Sequence, residues 1–373
     1  MKRPYTLLLA AAFTAICCAT DRVVSRTGTY NTISSAVAAS SDGDRVLVES
    51  GTYNEFVHLN RSISLLPLVE GERYTLTERL TISHANGAQV LISGANGEQL
   101  LYVGVYTTST TVRVVDSFFQ QCDLVDPQIR VELFRDTVRQ YAAISSGMVV
   151  GCSFPGANGG VFSLSVIGST TSTDEVVVIG NNFGSISGDS DLFLSTNSSI
   201  RMENNLIRSE RSPAISIVRS GPVPGATTYM LNNTVRTNMV DGGGAFACGV
   251  LGDYPQNMVV KNNAVINYNG GFLGPLPQQV AISQSNDLVV PPSAVDPGSG
   301  APTAGSPLID AGDPDPRYLD LDLTRNDVGC YGGSNSRANF TTPMGGAVVG
   351  FMQAPRVVSQ GDAVNISATG FDR

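Results

Sequence analysis

Residues 200–206, Ile200-Arg201-Met202-Glu203-Asn204-Asn205-Leu206, set an arginine and a glutamate two positions apart, just ahead of an asparagine pair. Two later copies of the pattern supply Tyr229, ahead of Asn232-Asn233, and Lys261, ahead of Asn262-Asn263. On a strand, residues two apart share a face. Arg201 and Glu203 therefore stand together, and the equivalent positions of the other copies add Tyr229 and Lys261. An aromatic ring flanked by charge on a flat face suits a sugar, whose apolar face packs on the ring while its hydroxyls meet the charges. Arg201, Tyr229 and Lys261 form the expected carbohydrate-binding row. The same residues also read as ordinary solvated positions, since Arg and Tyr are common on exposed β faces. A second group, Asp320, Asp322, Asn326 and Asp327, has the spacing that opens a calcium loop. It lacks the glycine and the closing glutamate of such a loop, and Tyr331 stands where the acid should be. Asp320, Asp322 and Asp327 remain the candidate ligands, with turn-making the better account of them. The two histidines, His58 and His84, have no acidic neighbours to build a site with.

The elements that must position these residues repeat. Val176-Val177-Val178-Ile179-Gly180-Asn181-Asn182 precedes the three copies above, so the first asparagines fall at 181, 204, 232 and 262, in steps of 23, 28 and 30. Weaker copies lie at Val114–Phe118, Phe134–Val138 and Val149–Phe154. Seven short apolar strands, each ending in a polar turn and with few helix-forming stretches between, predict a solenoid of stacked β coils. Each strand would pair in parallel with its equivalent about 4.8 Å away. With the first asparagine as anchor, residues two and four before it (Ile179 and Val177, Met202 and Ile200, Met230 and Thr228, Val260 and Met258) face inward. Residues one and three before it (Gly180 and Val178, Glu203 and Arg201, Leu231 and Tyr229, Lys261 and Val259) face out. Asn181, Asn204, Asn232 and Asn262 would form a ladder at the bend, where asparagine tolerates left-handed backbone and its amides can bond from coil to coil. The glycines of Asp241-Gly242-Gly243-Gly244 read as a tight corner between coils.

Toward the N-terminus, Thr32-Ile33-Ser34-Ser35-Ala36-Val37 places Ile33, Ala36 and Val37 on one helical face. Gly43-Asp44-Arg45-Val46-Leu47-Val48 and Gly51-Thr52-Tyr53-Asn54-Glu55 follow. A short amphipathic helix can plug the open end of a solenoid. This order resembles the start of right-handed parallel β-helix proteins of the pectin-lyase-like superfamily. Gly305-Ser306-Pro307-Leu308-Ile309-Asp310-Ala311-Gly312-Asp313-Pro314, running on through Asn326-Asp327-Val328-Gly329-Cys330, resembles the closing segment of secreted bacterial members. The resemblance covers roughly residues 25–335 and implies an all-β right-handed parallel β-helix with an N-terminal capping helix. Members that cleave polyuronates use calcium held by outward carboxylates and an arginine or lysine base. Here the resemblance makes Lys261 the candidate base and Glu203 a candidate ligand, with Arg201 a further catalytic candidate and Ca2+ as the cofactor it admits. Lys261 and Glu203 lie two coils apart, no outward Asp pair accompanies them, and the Asn-Thr-Asp, Asp-Asp and Gly-His-Gly motifs of the polygalacturonate hydrolases do not occur. The expected function is thus binding of extended carbohydrate, or part of an extracellular surface. The alternatives are a polysaccharide lyase or glycoside hydrolase acting on a uronate-rich polymer, and a fragment of a larger adhesin.

Composition bounds these readings. Of 373 residues 15% are charged, too few for a disordered or coiled-coil chain. The net charge of −9 includes one lysine beyond residue 19, Lys261, and argues against nucleic acid as a partner. Residues 1–19, with Lys2 and Arg3 ahead of the apolar Leu7–Ile16 and the exit Cys17-Cys18-Ala19, read as an export signal. A secreted or cell-surface address follows, with a lipid anchor at Cys17 or Cys18 as the lesser alternative. No later run reaches membrane-spanning length, and a monomer meeting polysaccharide or surface glycan is expected. Cys122, Cys152, Cys248 and Cys330 have no metal-ligand spacing, so they form one or two disulfides of open pairing or stay as buried thiols. The β-helix is expected over 20–340 and a linker over 341–354. Residues 355–373 alternate like a partial immunoglobulin-like module or an unpaired tail.

Overall fold

A computed structural model of the chain describes residues 19–83, 89–104, 109–156, 162–168, 175–184, 192–209, 213–219, 221, 225–237, 247–251, 256–266, 271–278, 280–340, 348–354, 358, 361 and 363–371. Residues 1–18 of the export signal, His84 and the loop Asp241-Gly242-Gly243-Gly244 lie outside the described residues.

Twelve short strands, from Asp21–Val24 to Val280–Ser285, stack in parallel into one sheet among the described residues. The remaining parallel strands line two further faces of each coil. One runs through Ser153–Phe154, Asn182–Phe183, Leu206–Ser209, Thr234–Thr237, Ala264–Ile266 and Leu288–Val290. The other runs through Thr137–Ile144, Leu164–Ile167, Leu192–Ser195, Ile215–Val218 and Cys248–Leu251. The chain is therefore a right-handed parallel β-helix. Its continuous apolar strands suit a sheet buried on its inner side by the other faces of the same coil. Val178, Met202, Met230 and Val260 stand one above another in register and line the main core cluster. Phe154 and Phe183 stack within that core at 4.8 Å between centroids.

The helix Ile33–Ala39 buries Ile33, Ala36 and Val37 in the core, at the Asp21–Val24 end of the stack. Its first turn is held twice. Thr32 Oγ1 accepts from the Ser35 N–H at 3.2 Å, and the Glu55 carboxylate accepts from the Ile33 and Ser34 N–H groups at 2.7 and 2.9 Å. Orphan N–H groups at a helix start favour a carboxylate acceptor.

After the last coil the chain turns back as a strap along one corner of the stack. Asn286 Nδ2 donates to the Ala311 carbonyl, Asn232 Nδ2 to Asn326 Oδ1 and the Asp327 carbonyl, and Asn204 Nδ2 to the Cys330 and Gly332 carbonyls. Asn262 Oδ1 accepts from the Asp313 N–H at 2.7 Å. Phe340 ends the run, packed against Val115, Phe134, Met148, Val150, Val177 and Ile179. Beyond it, Val348–Gln353 and Ser367–Phe371 pair antiparallel, so a strand occupies part of the stretch read as linker.

Candidate functional site

The register sorts the outer face into two rows. Val177, Arg201, Tyr229 and Val259 form one, and Ile179, Glu203, Leu231 and Lys261 the other. Arg201 and Tyr229 are direct cross-strand neighbours. Lys261 stands two strands from Glu203, as its spacing requires. The first copy departs from the parity expected for it: Val177 and Ile179 face outward under Phe340, and Val178 faces the core. The cause is Gly180. It turns the corner with φ 69°, as Asn204, Asn232 and Asn262 do with φ 56°, 54° and 59°. Glycine and asparagine adopt this left-handed backbone more readily than most residues, although Asp116 and Arg135 turn the equivalent corners of earlier coils with φ 49° and 55°.

The same shift corrects the ladder. Asn204, Asn232 and Asn262 do not bond one another; they turn the corner and hold the strap. The ladder consists of Asn181 and the second asparagine of each pair. Asn181 Nδ2 donates to Asn205 Oδ1 (2.9 Å), Asn205 Nδ2 to Asn233 Oδ1 (2.9 Å) and Asn233 Nδ2 to Asn263 Oδ1 (3.0 Å). Asn263 Nδ2 continues it to Asp287 Oδ1 (2.8 Å). Each amide oxygen of Asn205, Asn233 and Asn263 also accepts the backbone N–H of the asparagine one coil before. Further toward the N-terminus Asp136 takes the equivalent place, accepting from the Ser117 and Phe134 N–H groups. Burial pushes its carboxyl well above the usual range, against the pull of those two bonds.

Charges on the outer face are largely paired. Arg201 Nε lies 3.4 Å from Glu175 Oε1 and 3.8 Å from Glu203 Oε1. Glu203 is 2% exposed and accepts from Asn335 Nδ2 of the strap at 2.6 Å. Glu175, just ahead of the strand Val176–Ile179, was not among the residues expected here. Burial raises its carboxyl, and the nearby Arg201 lowers it by less. Lys261 Nζ pairs with Asp313 Oδ2 at 2.6 Å and lies 5.1 Å from the centre of the Tyr318 ring. Burial works to raise the Asp313 carboxyl, but the Lys261 and Asp315 hydrogen bonds together hold it below its ordinary value. Lys261 thus fastens the strap and sits beneath Tyr318.

Over this face lies an open cleft of about 810 Å³. Arg201, Glu203, Tyr229 and Leu231 form its floor, Arg317 and Tyr318 of the strap one wall, and residues 363–367 the other. Its size is that of a small-molecule or glycan site.

The carboxylates do not make a calcium site. Glu175 and Glu203 face Arg201, Asp313 faces Lys261, and a hard cation needs six to eight oxygen donors. Asp320 accepts from the Gly333 and Asp327 N–H groups, Asp327 from the Asp310 N–H, and Asp322 from Thr324. These three acids are therefore turn acceptors in the strap. Among the described residues no group of three His, Cys, Asp or Glu is placed to hold a metal ion. Cys122, Cys152, Cys248 and Cys330 are all buried free thiols, and burial raises each of them, Cys330 to about 11.

No family model matches the chain, and no curated protein matches it. Among solved structures it is similar to the pectate lyase Pel9A at 15% identity, covering 85% of this chain and 97% of that one, with a TM-score of 0.41. No helix among the described residues is long and apolar enough to cross a membrane. The in-register parallel coils give the chain its place: it has a right-handed parallel β-helix fold.

Proposed function

We propose that the protein binds extended carbohydrate along the outer face of its first sheet, as an exported or surface-attached protein. The observation that carries this reading is the cross-strand pair of Arg201 and Tyr229 on the floor of the open cleft. A sugar ring laid on Tyr229 would bury its apolar face there, with its hydroxyls meeting Arg201 and Arg317. Lys261 belongs to this site indirectly, through its contact with Tyr318. Its ion pair with Asp313 works against a role as catalytic base.

Affinity electrophoresis of the protein through gels carrying single polysaccharides, acidic and neutral, tests the reading. One or more polymers should retard it. Tyr229→Ala should weaken that retention about tenfold, the effect of removing one central aromatic contact. Unretarded migration in every polymer would sink the proposal. A second reading, hydrolysis, draws support from Glu175, an acid raised by burial beside Arg201 and Glu203. It predicts release of reducing ends that Glu175→Gln abolishes.

A further inference from the structure

A different face of the coil carries an arginine group that the cleft does not use. Arg208 and Arg236 are cross-strand partners on Leu206–Ser209 and Thr234–Thr237, one directly above the other. Like charges so placed repel, and no carboxylate relieves them among the described residues. Arg208 Nη2 donates to Asn182 Oδ1 at 2.5 Å and Nη1 to the Gly298 carbonyl at 3.4 Å, both neutral acceptors. Arg337, whose Nη1 donates to the Ser299 carbonyl at 3.1 Å, adds a third positive charge that acts on Arg208. The Nε atoms of all three are buried without a hydrogen-bond partner. Arg208 and Arg236 line a groove of about 460 Å³, together with Ser153, Asn182, Ser209, Pro155 and Gly184.

A buried donor left unmade is costly, and an arginine's fork fits two oxygens of one planar or tetrahedral anion. We propose that this groove is an oxyanion site, in which Arg208 and Arg236 hold a carboxylate, sulfate or phosphate group beside Ser153 and Asn182. The group can belong to a polymer, as a sugar carboxylate, or to a free inorganic anion. The site is separate from the cleft and does not rest on the carbohydrate reading.

Thermal unfolding of the whole protein is followed while sodium sulfate, sodium phosphate or a galacturonate hexamer is titrated in, with ionic strength held constant by chloride. At least one probe should stabilise the protein saturably. A hexamer acting at lower concentration than sulfate and phosphate would place the anion on a polymer, and the reverse order would make it a free ion. Arg236→Gln and Arg208→Gln should each weaken the response at least about tenfold, while Arg26→Gln, at an exposed arginine elsewhere, leaves it unchanged. In chloride alone Arg236→Gln should unfold no earlier than the parent protein, because it removes an unrelieved repulsion. The proposal fails if no probe gives a saturable shift beyond chloride. It fails equally if both glutamine variants respond like the parent.

Discussion

Asn205→Ala tests the corrected ladder most directly. Asn205 is fully buried, and its Oδ1 accepts both the backbone N–H and the Nδ2 of Asn181, at 3.1 and 2.9 Å. Its own Nδ2 donates to the Val178 carbonyl at 2.8 Å and to Asn233 Oδ1 at 2.9 Å. Truncation strands two buried donors on Asn181 and thins the partners of two acceptors. At roughly 1–3 kcal/mol for each orphaned buried group, the loss should be about 4 kcal/mol. The neighbouring Asn204→Gly is the comparison. It removes only the two Nδ2 bonds to the strap, and glycine keeps the left-handed corner without strain. Its cost should be about 1 kcal/mol. Urea unfolding at 25 °C, followed by far-ultraviolet circular dichroism with a common slope, gives both values. Hydrogen exchange of the Asn181 amide, in the same samples, shows whether the opening is local to that coil. An Asn204→Gly cost equal to or above that of Asn205→Ala would refute the assignment, because it would put the coil-to-coil bonds on the first asparagine.

Asp136→Asn sets an amide NH2 against the Ser117 or Phe134 N–H and should cost about 2 kcal/mol near pH 3, where both side chains are neutral. The parent alone bears the cost of ionising a buried carboxyl as pH rises. Its folded carboxyl is raised, so the penalty is absent below the ordinary carboxylate value and grows as pH rises through it. The gap between the two unfolding midpoints should therefore narrow as pH rises from about 3 to 7, and a gap that stays constant would refute the cause. Lys261→Met should cost about 2 kcal/mol, between an exposed and a fully buried ion pair. Because Asp313 is lowered, the parent's extra stability should be present above about pH 4 and fade as pH falls through the folded value. The variant should show a flatter acid limb, and an unchanged one would sever Asp313 from Lys261. In a chain lacking residues 1–19, an aromatic disulfide reagent should find no reactive thiol in the native protein and four in urea without reductant. Fewer than four would mean a disulfide.

The repeat made the solenoid legible, because short apolar strands at regular spacing leave few other ways to bury a core. The helix face of Ile33, Ala36 and Val37 was readable for the same reason. The offset of one residue at Gly180 was not, since Gly180-Asn181-Asn182 looks like another asparagine pair when only letters are matched. Matching left-handed tolerance instead would align Gly180 with Asn204 and put Asn181 in the ladder. Glu175 was missed because it precedes its strand, where parity gives no guidance. The partners of Lys261 and Glu203, Asp313 and Asn335, lie 52 and 132 residues along the chain, and no local pattern carries such a pairing. The acids at 320, 322 and 327 showed their type but not their use, since one Asx-rich stretch can wrap a cation or cap its own turns.

The strap gives this chain an order of assembly that a simple stack of coils lacks. Coils contact only their neighbours and can form one after another as synthesis proceeds from the N-terminus. The bonds from Asn204 to the Cys330 and Gly332 carbonyls close a loop of more than a hundred residues, so they form only once the last coil is in place. A segment made after the coils thus fastens coils completed long before it. It converts a stack that could peel from its open end into one whose middle is clasped from outside. A chain ending before residue 330 would keep its sheets and lose that clasp.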